Sequence, residues 1–256
     1  MSFIDTHSHI YLPEFDEDRS EVILRAKAAG ITHIVLPNVD QSTIAQLLCL
    51  EKTDPAYFHP AIGIHPTCIN NDYTKELAWV KEELNHRSYC AIGEVGIDLY
   101  WDTTFREEQI IAFEQQLQWA VEYQLPVIIH QRNAFEEVMT SVEKFNCSEL
   151  RGVFHSFGGT LDEARRIVAL ENFYLGINGV VTFKNSTLST VLSSVSLDRL
   201  VLETDSPYLS PVPYRGKRNE SSYMVLVAQK LSEIYHITLG KIGEVTSRNA
   251  RQLFGL

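Results

Sequence analysis

The sequence predicts an α/β fold, a (β/α)8 TIM barrel forming a single domain over residues 1–256. Two observations carry this. Eight short apolar, β-rich segments alternate with helical patterns, and histidines and carboxylates recur where those segments end. Alternating strands and helices favour parallel βαβ units, and eight such units are the count of a closed barrel. An open doubly wound sheet is the alternative, but it would bring the first and last strands together less readily.

The eight segments are residues 2–7, 31–37, 57–64, 89–95, 126–131, 151–155, 173–182 and 199–204. Gly30 reads as a helix stop just before the second, and Pro126 punctuates entry to the fifth. Between the fourth and fifth, residues Phe105 to Tyr123 place Ile110, Phe113, Leu117 and Ala120 at helical spacing. Ile237 to Leu256 reads as an additional helix after the last strand. No linker, low-complexity tract or short repeat interrupts the chain.

Composition bounds the function. At 45% hydrophobic residues the chain can bury a substantial core. The apolar runs are too short and too broken by charge to span a membrane. The first residues carry Asp5 and His7 where a signal peptide would be apolar, so a cytoplasmic location is expected. Cys49, Cys68, Cys90 and Cys147 are dispersed and read as reduced thiols. A net charge of −11 disfavours broad, sequence-blind adhesion to nucleic acid. It leaves room for a cleft in which cations neutralise one or two phosphates.

The chemistry lies at the strand ends. His7 and His9 stand at i and i+2, so on a strand they share a face and can grip one ion. Glu94, His130, His155 and Asp205 each close an apolar run. In a barrel all six would converge on one mouth, although a lone strand histidine is more often simply packed or hydrogen-bonded. That plain reading applies to His33, His59, His86 and His236. Six ligands exceed what one ion takes from protein while keeping a place for water. Two divalent ions about 3.5–4 Å apart, bridged by a carboxylate, are the economical solution. Glu94 is the expected bridge, with His7, His9 and Asp205 on one ion and His130 and His155 on the other. Zinc, manganese or magnesium remain open as the metal.

Around this centre, His65 ends the third segment and is expected to donate to a substrate oxygen or leaving group. Glu203 shares a face with Asp205 and is expected to orient a ligand or meet substrate. Arg215, Lys217 and Arg218 place three cations within four residues after the last strand, which would suit a phosphate-bearing substrate, although such runs are commonly solvated loops. Arg132 and Lys184 would add charge at the rim.

Five motifs now stand in order along the chain: Asp5-Thr6-His7-Ser8-His9, Gly63-Ile64-His65-Pro66, Gly93-Glu94-Val95-Gly96-Ile97-Asp98, His155-Ser156-Phe157-Gly158-Gly159 and Glu203-Thr204-Asp205-Ser206-Pro207-Tyr208-Leu209. Together with Arg215-Gly216-Lys217-Arg218-Asn219-Glu220, they resemble the TatD family of metal-dependent deoxyribonucleases over nearly the whole chain. The resemblance implies a TIM barrel of the amidohydrolase type, the same six metal ligands, and hydrolysis of DNA phosphodiesters. Gln131-Arg132-Asn133, Gly158 and Ser221 depart from the family pattern without removing a ligand.

The expected activity is therefore an exonuclease acting on single-stranded or frayed DNA ends through a metal-activated water, with single-stranded DNA or 3′ ends as the expected partner and the polarity of digestion left open. Asp205 is the expected general base, Glu94 the bridge and His65 the aid to the phosphate or leaving group. A monomer with no membrane partner is expected. The competing readings are a small-molecule amidohydrolase (lactonase or phosphoesterase) on the same centre and a metal-stabilised scaffold. An open coordination position disfavours the scaffold.

Overall fold

A computed structural model describes every residue of the chain except Asn146. Its strands are β1 (Phe3–Asp5), β2 (Ile31–Leu36), β3 (Phe58–Ile62), β4 (Ala91–Asp98), β5 (Val127–Arg132), β6 (Gly152–Phe154), β7 (Phe173–Ile177) and β8 (Leu200–Leu202). All neighbours pair in parallel, in the order β1 to β8. The helices between them are α1 (Arg19–Ala28), α2 (Ile44–Glu51), α3 (Tyr73–His86), α4 (Arg106–Tyr123), α5 (Phe135–Lys144), α6 (Leu161–Val168) and α7 (Leu188–Leu192). After β8 come α8 (Met224–Tyr235) and the extra α9 (Leu239–Phe254), which Thr238 caps by accepting the Lys241 N–H. No helix among the described residues is long and apolar enough to cross a membrane.

The eight-strand expectation holds, with shifted ends. The seventh strand stops at Ile177, because the Asn178 side chain accepts the Val180 N–H at 3.1 Å and turns residues 179–182 into a 3-10 turn. Conversely, β4 runs on to Asp98, so Glu94 lies within a strand and Asp98 ends it.

The barrel closes where β1 meets β8. The Thr6 N–H donates to the Leu202 carbonyl at 3.0 Å, and the Asp205 N–H to the His7 carbonyl at 2.8 Å. Asp5, fully buried, locks this seam. Its carboxylate accepts the Thr204 N–H at 3.0 Å and the Thr204 hydroxyl at 2.7 Å. Burial pushes the Asp5 carboxyl up to about 7 against these hydrogen bonds. Residues far apart in sequence, His7 and Asp205, are thereby fixed side by side.

Inside the barrel each strand contributes one residue to an apolar layer: Ile4, Val35, Ala61, Ala91, Ile128, Val153, Tyr174 and Val201. From below, α9 plugs this layer with Ala250, Leu253 and Phe254. A second, larger core lies between strands and helices. The floor is thus packed and apolar, and the candidate metal ligands gather above it, at the C-terminal ends of the strands.

Candidate metal centre

The sequence places inward-facing polar residues one or two steps beyond the apolar layer. His130 follows Ile128 by two positions on β5, and His155 follows Val153 by two, just past β6. On β4 the register shifts between Ile92 and Val95, which turns Glu94 into the barrel. Two glycines make room there. A Cβ on Gly93 would stand 2.6 Å from Ile128 Cβ, and one on Gly96, whose φ is +144°, would collide with the His130 carbonyl. The loop after β1 delivers His7 and His9. The strand itself stops at Asp5, so their convergence comes from the bridge between Ser8 and Ser206 rather than from an uninterrupted strand.

Glu94 divides its carboxylate between two groups of ligands. Oε2 lies 3.2 Å from His7 Nε2 and 3.5 Å from His9 Nε2. Those two nitrogens are 3.1 Å apart, and each is 3.7 Å from Asp205 Oδ1. Oε1 lies 2.9 Å from both His130 Nδ1 and His155 Nε2, and 3.4 Å from His65 Nε2. Ligand atoms around a tetrahedral ion with bonds of about 2.1 Å stand roughly 3.4 Å apart. The spacings around Oε2 bracket that value, whereas the two 2.9 Å contacts at Oε1 are of hydrogen-bond length.

Hydrogen bonds behind the ligands aim their lone pairs. The Tyr11 hydroxyl donates to the Pro37 carbonyl at 2.6 Å, so it accepts from His9 Nδ1–H at 2.9 Å. That leaves His9 Nε2 as a lone pair facing the lone pairs of Glu94 and Asp205. With a neutral ring, a divalent cation would satisfy these facing lone pairs. Similarly, His130 Nε2–H donates to Asp98 Oδ2 at 2.9 Å, turning Nδ1 towards Glu94. Glu203 Oε1 is 3.4 Å from His155 Nδ1 and also accepts the Ser156 N–H. His7 Nδ1, His155 Nδ1 and Glu203 Oε2 are buried without hydrogen-bond partners among the described residues. The sets His7–His9–Glu94, His65–Glu94–His130 and His7–His155–Glu203 are each close enough to hold one ion. The donors fit a borderline divalent metal.

The electrostatics follow from packing many titratable groups together. Burial pushes the Glu94 carboxyl up, but His155, His65 and His7 overcome it and hold the group well below the usual carboxylate range. Asp205 goes the other way. Burial, reinforced by Glu94 and Glu203 and opposed by His155 and His9, lifts it to about 6. Burial and the His155 charge drive His7 well below the ordinary histidine value. For His155 burial is outweighed by Glu94 and Glu203, which raise it well above.

A cleft of about 680 Å³ opens over this cluster. Its floor is His9, His65, Glu94, His130, His155 and Asp205, and its rim includes Trp101, Arg132 and Tyr208. All six expected ligands therefore come together, but other expectations need correcting. His65 lies beside the ligand cluster, 3.4 Å from Glu94 Oε1, and also lines the cleft. Arg215, Lys217 and Arg218 do not line the cleft. Their loop is folded back against α1: Arg218 donates to the Glu14 carbonyl and the Asp18 carboxylate, both at 2.7 Å, and lies over Phe15. Arg215 instead covers the Phe183 ring at 3.8 Å. Glu203 is fully buried beneath His155, so it backs a ligand and has no reach to substrate. Arg132, expected only as rim charge, does line the cleft. Asp98 and Tyr11 have no role legible in the sequence, although Asp98 lies in the same run as Glu94, four residues beyond it.

Comparison with known proteins agrees with this geometry. A family model described as TatD related DNase matches residues 4–255. The chain belongs to the TatD family. Among its relatives is the metal-dependent hydrolase YabD of Bacillus subtilis (strain 168), 39% identical over 252 residues that cover 98% of each chain. The metal-dependent hydrolase YjjV of Escherichia coli (strain K12) is 30% identical over 258 residues, 99% of this chain and 98% of that one. The crystal structure of YjjV superposes with a TM-score of 0.93 over 99% of this chain and 98% of that one, at 29% identity. A TatD family hydrolase from Entamoeba histolytica shares the fold with a TM-score of 0.85 at 22% identity, over 99% of this chain and 98% of that one. TatD membership makes the chain a member of a metal-dependent hydrolase family, and the cluster around Glu94 is where a metal would be held.

Proposed function

We propose that this TatD-family protein is a two-metal phosphodiesterase, a deoxyribonuclease that shortens single-stranded or frayed DNA from its 3′ ends, working as a monomer in the cytoplasm. The observation that carries the two-ion centre is the divided carboxylate of Glu94, with His7 and His9 at one oxygen and His130 and His155 at the other. Divalent ions held by these residues and Asp205 would supply Lewis-acid stabilisation of phosphate charge and make water more acidic.

The chain's own residues account for the rest. Asp205 reaches the cleft beside the ligand histidines, so its carboxylate can take a proton from an attacking water. Asp98 and Tyr11 hold His130 and His9 in the orientation that presents their lone pairs, and Glu203 lies 3.4 Å behind His155. Glu94 is only 3% exposed, at the base of the cleft. A scissile phosphate on a flexible, unpaired end would reach such a recessed group most readily, and we take this as the ground for exonuclease over endonuclease action.

A second reading, hydrolysis of a small phosphoester or lactone, draws support from the cleft volume, which lies in the range of small-molecule sites. One experiment separates them. End-labelled single-stranded DNA is incubated with chelated protein and with protein resupplied with magnesium, manganese or zinc. Metal-dependent stepwise shortening, lost in Glu94→Gln and Asp205→Asn, is the expected result. Intact DNA alongside turnover of a small phosphoester or lactone would replace the first reading with the second.

A further inference from the structure

Immediately after β4, two large aromatic side chains stand in solvent. Trp101 is 70% exposed and Tyr100 is 51% exposed. Their rings meet edge to face at 4.9 Å. The Arg132 guanidinium lies 3.6 Å from the centre of the Tyr100 ring and 5.1 Å from that of Trp101. Arg132 is exposed and forms no ion pair among the described residues, whereas Arg25, Arg106, Arg166 and Arg218 all hold carboxylates. In a chain of net charge −11, an arginine kept on aromatic faces and away from acids retains its donors for a ligand.

The ledge is tied to the metal centre. Asp98 Oδ2 accepts from His130, while its Oδ1 accepts the Tyr100 N–H at 2.9 Å. The Leu99 N–H donates to the Arg132 carbonyl at 2.9 Å. One carboxylate thus positions a ligand histidine and the start of the ledge together. Trp101 and Arg132 line the same cleft as Glu94, and Trp101 also walls an adjoining cavity of about 400 Å³.

We propose that Tyr100, Trp101 and Arg132 form a stacking subsite for an unpaired nucleotide, with a base on the indole face and a phosphate beside it on the guanidinium. The proposal rests on the phosphodiesterase reading above. An aromatic platform next to an unpaired arginine is the arrangement that receives single-stranded nucleic acid, and stacking accepts any base because every base has a π face. It also gives an acidic protein a way to hold DNA without a broad basic surface.

The test uses Trp101→Ala and Trp101→Phe in the full-length protein with two readouts. The first is KM for an oligothymidylate against KM for an abasic oligonucleotide of the same length, a chain of diesters with no base. The loss in Trp101→Ala should be roughly ten- to a hundredfold greater on the oligonucleotide, the range for losing one base–aromatic stack, and Trp101→Phe should restore most of it. The second is fluorescence anisotropy of labelled oligothymidylate in EDTA, where the dissociation constants should rank wild type, then Phe, then Ala. Equal losses on both substrates, or unchanged oligonucleotide KM and affinity, would overturn the subsite while leaving the phosphodiesterase reading intact. Trp101-dependent binding without hydrolysis would sink that reading and keep the subsite. Wild-type protein that neither binds nor cleaves DNA would overturn both.

Discussion

Replacing Asp98 tests whether hydrogen bonding behind the ligands prepares the centre. Its Oδ2 accepts from His130 Nε2 at 2.9 Å, which fixes the tautomer whose Nδ1 lone pair faces Glu94 Oε1, also at 2.9 Å. In Asp98→Asn the amide oxygen can still accept the Tyr100 N–H, but the amide nitrogen would face His130 Nε2 and demand a lone pair there. The proton would move to Nδ1, where the ion should bind. Asp98→Ala removes the partner and leaves the ring free to choose. Losing such a partner costs about 10- to 100-fold in metal affinity, or roughly 1.4–2.7 kcal/mol. Asp98→Asn should lie at the upper end and Asp98→Ala at the lower. Calorimetric titration of chelated protein measures this directly. Thermal shift at fixed metal concentration should show a parallel loss, since binding to the native state stabilises it by mass action. Wild-type affinity in Asp98→Asn, with affinity lost in His130→Ala, would refute the tautomer argument.

Other consequences follow from particular contacts. Arg218→Ala should leave KM for DNA unchanged and lower stability by less than about 1 kcal/mol, as for exposed ion pairs, whereas Arg132→Ala should raise KM; steady-state kinetics and urea melts separate the two. Gly93→Ala puts a Cβ 2.6 Å from Ile128 Cβ, so overpacking should cost about 1–3 kcal/mol and lower Tm by roughly 2–12 °C in calorimetry. Burial, aided by His33, lowers His59 to about 4. Between about pH 6.5 and 4 the unfolded chain then binds a proton that the folded chain refuses, so stability should fall as pH drops through that window. His59→Gln should flatten this part of the urea-midpoint profile, and an unchanged slope would show that His59 does not cause it.

Sequence reached the barrel because each strand carries a compact apolar run and each ligand follows one. Its limits have physical causes. His7 and His9 converge as expected, but through the Ser8–Ser206 bridge and the Asp5 lock on Thr204, contacts across almost the whole chain. Asp98 escaped notice because its role depends on β4 extending alongside β5 until it faces the His130 ring. The Arg215–Arg218 loop was misplaced because adjacency to Asp205 in sequence says nothing of where a loop folds. Asp18 and Glu14, two hundred residues earlier, decide that. Arg132 gained importance for the converse reason, since local sequence does not reveal that Tyr100 and Trp101 would hold its guanidinium.

The account turns on Glu94 serving two ions at once. Metal content after equilibration with limiting and saturating divalent ion, read by plasma mass spectrometry, tests this most directly. The predicted result is two ions per chain in the wild type and loss of both in Glu94→Gln, with the fold retained. A single ion in fully active wild-type protein, or two ions still bound without the Glu94 carboxylate, would contradict it.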